Sequence, residues 1–121
     1  MGLDMYALVT TETPAQQVDF KVSEATELYY WRKHPNLHGW MESLYRAKGG
    51  AADSFNCVPV QLTAEDLDRL EAAITAGDLP DTRGFFFGVS DGSEIAEDLD
   101  FIAKESAAIA AGQTVFYDSW W

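Results

Sequence analysis

Basic residues are scarce in this chain: 8 lysines and arginines stand against 20 aspartates and glutamates, a net charge of −12 at pH 7. A protein of that sign repels phosphate backbones and anionic headgroups, so neither direct nucleic-acid binding nor membrane binding is expected. Basic partner surfaces are attracted instead. Cysteine is nearly absent, and the lone Cys57 excludes an internal disulfide; beside Val58 and Val60 it reads as a small core residue. No apolar run approaches the ~18 residues of a membrane span, and Met1-Gly2-Leu3-Asp4-Met5 lacks the basic and apolar regions of a signal peptide. A cytoplasmic protein is expected. Internal repeats, heptads and low-complexity linkers are missing too, and 121 residues are too few for two lobes with a cleft between them. One domain over 1–121 follows. Its hydrophobic fraction of 47% supplies enough apolar surface to offset the entropy of ordering.

The pattern of apolar residues predicts the elements. Residues 3–10 alternate and are rich in strand formers, and residues 27–33 read as a second strand with Leu28, Tyr30 and Arg32 on one face and Tyr29, Trp31 and Lys33 on the other. Pro35 suits a first helical position, and Leu37, Trp40, Met41, Leu44 and Tyr45 then recur at helical spacing until Gly49-Gly50, which predicts a helix over 35–48. Thr63 is an N-cap with acids in the first turn after it, and Gly77 ends that helix. Residues 84–90 read as a buried strand. Asp91 with Glu94 resembles a capping box that opens a third helix to about Ala111, and 114–121 alternate as a final strand. The order implies an α+β fold, a mixed or antiparallel sheet with about three helices packed on one face. Leu37, Met41, Leu44, Leu67, Leu70, Ile74, Leu99 and Ile102 are the expected inward residues, against Phe85 and Phe87. Trp120 is expected to pack within the chain on the face of Phe116, leaving Trp121 for a ligand or a second subunit.

Positive charge is concentrated in one window. Residues 29–48 hold Arg32, Lys33, Arg46 and Lys48, half of the bases, together with both histidines, and Glu42 is their only acid. Arg32 and Lys33 lead directly into a helix N-terminus, whose unpaired N–H groups and dipole favour an anion. Arg32 offers a planar fork for phosphate or carboxylate, His34 and His38 donate or accept, and Trp31, Trp40 or Trp121 offers a face for stacking. The bland reading is that the aromatics are core, the bases solvated and His34 a helix cap.

Other motifs carry less. His34, His38 and Glu42 have i, i+4, i+8 spacing, but Pro35 puts His34 outside the helix, and no metal or cofactor is expected. Gly39 inside the helix reads as a close contact or a kink. The stretch 84–93 has neither a Walker lysine nor dinucleotide glycine spacing; it reads as a core strand plus N-cap, and neither nucleophilic nor zinc hydrolysis is expected. Fourteen acids against three bases from Asp53 onward read as a solvated face, with nucleic-acid mimicry as the sharper alternative.

The segments Met1-Gly2-Leu3-Asp4-Met5-Tyr6, Tyr30-Trp31-Arg32-Lys33 with Leu37-His38-Gly39-Trp40, Gly84-Phe85-Phe86-Phe87-Gly88 and Ser119-Trp120 together resemble a family of small phage and prophage proteins of unassigned activity. That resemblance implies a phage setting, in which small soluble proteins antagonise host enzymes or defence, and it assigns no catalytic residue. The leading expectation is therefore a noncatalytic phage accessory protein that binds a small anionic or nucleotide-like ligand at the Arg32–Trp40 corner, through Trp31, Arg32, Lys33, His34, His38, Trp40 and Trp121. The alternatives are an acidic inhibitor of a host protein and a small enzyme using His38. A homodimer is among the expected partners.

Overall fold

A computed structural model describes residues 2–82, 88, 90 and 93–121. Among them, strands β1 (Asp4–Thr10), β2 (Thr26–Arg32), β3 (Val60–Leu62) and β4 (Thr114–Trp120) form one antiparallel sheet in the order β2-β1-β4-β3. Helices α1 (Pro35–Ala47), α2 (Ala64–Ala76) and α3 (Ile95–Ala110) pack against it. The expected α+β fold is what the chain adopts. The anticipated strand at 84–90 lies largely outside the described residues.

Each strand alternates because one face meets the helices. Met5, Ala7 and Val9 of β1 point into the core beside Val115 and Tyr117 of β4, while Asp4, Tyr6 and Leu8 point the other way. On β2 the inward residues are Tyr29 and Trp31, both packed on Phe101 of α3. The first helix buries Leu37, Met41, Leu44 and Tyr45, as its spacing predicts. In α2 the Thr63 hydroxyl accepts from the Asp66 amide and the Asp66 carboxylate accepts back from the Thr63 amide, a capping box, and Gly77 closes the helix at φ 71°. Lys48, at the end of α1, donates to that same carboxylate at 2.5 Å, so the cap of one helix ties down the next.

The third helix corrects the expected register. Its buried residues are Asp98, Phe101, Ile102, Glu105 and Ala108, whereas Leu99 is exposed. Two acids thus occupy an inward stripe that its leucine was expected to share. The helix begins at Ile95 after Glu94; the expected capping box has Asp91 as its cap, a residue outside the described ones. Gly39 proves to be a close contact: a Cβ there would lie 1.8 Å from the Thr82 hydroxyl. Cys57 is exposed, with a left-handed φ of 59°, because its amide is drawn to the Ser119 carbonyl at 2.8 Å.

The two terminal tryptophans are also reversed. Trp121 is held by its own chain: its indole N–H donates to the Phe55 carbonyl at 2.7 Å, and its backbone exchanges two bonds with the Asn56 side chain. Trp120 shares the face of Phe116, as alternation requires, but that face is covered by Phe20 only at Phe116, and Trp120 is 66% exposed.

Candidate active site

The corner between β2 and α1 is built by one strained residue. Lys33 sits at φ 57°, a left-handed conformation costly for a residue with a side chain, and its amide is held by the Leu3 carbonyl at 2.8 Å. This turn drops His34 under the sheet as the residue preceding α1. Its ring makes no cap bond, because both nitrogens are engaged elsewhere.

Nε2 of His34 lies 2.8 Å from Asp98 Oδ2, and Nδ1 lies 2.7 Å from Ser90 Oγ. Asp98 is itself fixed from the strand side, accepting from the Trp31 indole N–H at 3.1 Å. A carboxylate on Nε2 holds the proton there and leaves Nδ1 to accept from the serine hydroxyl, while the Asn36 amide donates to Ser90 Oγ at 3.1 Å. The wiring is therefore a hydroxyl, an imidazole and a carboxylate in series. His34 and Asp98 are almost wholly buried, and Glu94 stands 3.8 Å from Nδ1.

Ser90, His34 and Asp98 line a cavity of about 120 Å³ with Asn36 and Glu94, and its remaining wall is apolar: Ile74 and Leu79 near the end of α2, and Ile95 at the start of α3. The N-termini of α1 and α3 both face this space. Their dipoles add partial positive charge to a wall that also carries the Glu94 and Asp98 carboxylates.

Contrary to the expectation of no nucleophile motif, Gly88-Val89-Ser90-Asp91-Gly92 has the Gly-x-Ser-x-Gly spacing. Gly88 has φ 76°, and a Cβ there would sit 2.9 Å from the Lys33 Cβ, so glycine is required beside the strained corner. Against phosphate loops the stretch shows nothing, and the expectation that no Gly-x-Ser-x-Gly elbow is present overlooked residues 88–92. The antiparallel sheet differs from the parallel sheet in which that motif usually sits, and the hydroxyl and carboxylate occupy the opposite ring nitrogens from the serine-protease arrangement. Recurrence of the constellation by geometry is what such triads show across unrelated folds.

The residues expected to share a pocket divide into separate places. Trp31 and His34 meet at Asp98. His38 lies deeper, 1% exposed, sharing a 2.6 Å hydrogen bond with the Tyr117 hydroxyl and packed against Phe55, with the edge of Trp121 at 6.5 Å. Burial pushes its pKa down to about 4. Trp40 is half-buried against the core. Arg32 points to the opposite face of the sheet, its guanidinium beside Gly2, and the Lys33 stem runs against Gly2 and Gly88. His34 and His38 face different partners, and no group of three metal-ligating side chains forms among the described residues.

A scan of the chain against protein-family models finds no match, and searches of curated proteins and of solved structures find no similar chain. The site therefore stands on its own geometry. Ser90, Asp98 and Glu94 are the members that sequence reasoning passed over. Asp98 had a readable signal, since it falls at i, i+3, i+4 and i+7 with Phe101, Ile102 and Glu105, and an acid on an apolar stripe needs a buried partner.

Proposed function

We propose that this protein is a small acyl-transferring hydrolase in which Ser90 is the nucleophile, His34 the general base and Asp98 its orienting carboxylate. The observation that carries this reading is the unbroken series Ser90 Oγ, His34, Asp98 at 2.7 and 2.8 Å on the wall of a cavity. In the reaction, Ser90 Oγ bonds to the substrate carbonyl carbon as its proton passes to His34 Nδ1. Asp98 stabilises the imidazolium, which then gives that proton to the departing alkoxide as the carbon–oxygen bond breaks. Water, deprotonated by His34, then bonds to the acyl carbon; the carbon–Oγ bond breaks, the acid leaves, and His34 returns the proton to Ser90 Oγ. The cavity size and its Ile74, Leu79 and Ile95 wall suit a short apolar acyl group, and Glu94 and Asp98 disfavour an anionic substrate. The expected anionic ligand is the weaker reading of this corner, because Arg32 and Lys33 stand outside the cavity that those two acids line.

The test is covalent labelling with a fluorophosphonate, followed by mass spectrometry, alongside hydrolysis of p-nitrophenyl acetate. Stoichiometric adduct on Ser90, lost in Ser90→Ala with unchanged circular dichroism, is the expected result. A folded chain that stays unlabelled, or one labelled elsewhere, overturns the proposal and leaves His34 as a buried structural bridge.

A further inference from the structure

The sheet face turned away from the helices carries aromatic rings in register. Across β2, β1 and β4, one row reads Arg32, Asp4, Trp120 and the next reads Tyr30, Tyr6, Asp118. Tyr6 and Tyr30 rings lie 5.4 Å apart, and the Tyr30 hydroxyl donates to Asp4 at 2.6 Å. Further along the same face, the chain covers itself: Phe20 packs edge-on against Phe116 at 5.2 Å. That cover stops before Tyr30 and Trp120, which are 43% and 66% exposed. Apolar area left in water forgoes ~25 cal/mol per Å², which favours covering these rings with a partner.

Charge decides what kind of partner fits. Burial, and after it the carboxylates of Asp4, Glu27 and Asp118, hold the Tyr6 hydroxyl above its ordinary value. Arg32 is the one guanidinium in these two rows. Burial raises the Asp118 carboxyl, and a cation placed beside it would offset that cost. Two grooves continue the face at either side, one of about 340 Å³ between Gly2, Asp4, Trp120 and Trp121, the other of about 560 Å³ past Leu8, Phe116 and Asp118, where Lys21 and Asp19 join Asp118 in the lining. With Asp4, Asp19 and Asp118 against Arg32 and Lys21, the surface is long, aromatic and acidic on balance, on a chain of net charge −12.

We infer that this open sheet face docks an extended basic segment of a partner protein, its lysine or arginine side chains lying over Tyr6, Tyr30 and Trp120 between Asp4 and Asp118. Aromatic faces attract such cations while the carboxylates neutralise them, and the apolar stems cover the rings. Nucleic acid does not suit the surface, as its phosphates would meet the same carboxylates.

Fluorescence anisotropy of fluorescein-labelled polyarginine, with polyglutamate as control, tests this on the full chain. Bulk charge alone attracts polyarginine, so the deciding variants keep the charge: Trp120→Ala and Tyr30→Ala should each weaken binding about tenfold or more. Amide shifts on titration should fall on β1, β2 and β4. Unaltered affinity in both variants, or shifts confined to the acidic helices α2 and α3, overturns the inference. So does a concentration-dependent dimer broken by Trp120→Ala, since the occupant would then be a second copy. Loss of polyarginine binding leaves Ser90 labelling untouched, which separates this surface from the cavity.

Discussion

His34 and His38 stand four residues apart where the chain enters α1, and both rings are buried, yet their surroundings give them opposite chemistry. His34 lies between a carboxylate and a hydroxyl. Its ring is placed to take a proton from one side while the other side stabilises the charge. His38 meets Phe55, Tyr117 and the edge of Trp121, and that aromatic enclosure pushes its pKa down to about 4, so it stays neutral through the physiological range. Burial by itself does not set what a histidine does; the partners buried with it do.

Replacing Asp98 with Asn attacks the comparison most directly. The carboxamide no longer holds the proton on Nε2 as a carboxylate does nor stabilises the imidazolium, so ester turnover should fall about 10³-fold or more. Stopped-flow kinetics on a variant whose near-ultraviolet dichroism matches the parent will decide it. Unchanged turnover would make His34 as inert as His38.

Glu105 sharpens the role of burial, since neither carboxylate oxygen has a hydrogen-bond partner among the described residues and its pKa rises to about 8 through desolvation. The folded chain keeps this proton up to about pH 8, whereas the unfolded chain releases it near 4.5. Stability is therefore fully present below pH 4.5 and is lost as pH rises toward 8, by at most about 1.4 kcal/mol per pH unit. Chemical denaturation of Glu105→Gln across that window should show the slope removed.

For His38 the sign is opposite. The unfolded chain binds a proton near 6.5 and the folded chain only near about 4, so stability is present above 6.5 and drains as pH falls through that interval. Nuclear magnetic resonance titration should find the His38 ring unprotonated until about pH 4. Protonation near 6.5 in the folded protein would mean that its aromatic enclosure admits water.

The smallest effects separate the terminal tryptophans. Trp121→Ala removes the bond to Phe55 and part of the wall over His38, which should cost about 1–2 kcal/mol and move the His38 pKa back toward 6.5. Trp120→Ala, at an exposed position, should change stability by no more than about 0.5 kcal/mol. Thermal melts measure both.

Much of the fold was legible along the chain. The alternation in residues 3–10 and 114–121, the Pro35 start, the Thr63 cap and the Gly77 stop are local signals, and the local backbone obeys them. The register of α3 was not, because Leu99 outranks Asp98 on any hydrophobic scale, and only Trp31 and His34 waiting beneath the helix make the aspartate the better inward residue. The tail misled for a similar reason: alternation assigns faces correctly, but it does not say which face the rest of the chain covers at that height.

The basic window shows the same limit for the site. Its charge and aromatics were counted correctly, but adjacent strand residues point to opposite faces, so Arg32 and Trp31 part company, and Lys33 turns His34 toward acids more than fifty residues ahead. By itself, the sequence determined the α+β class, the boundaries of α1 and α2 set by their start and stop residues, and the net charge of −12. Tertiary structure alone decided that Ser90, His34 and Asp98 meet, and that Tyr6, Tyr30 and Trp120 share an open face. Local propensity acts between neighbours within a turn or two, whereas these groups are joined by packing across the sheet and between helix ends.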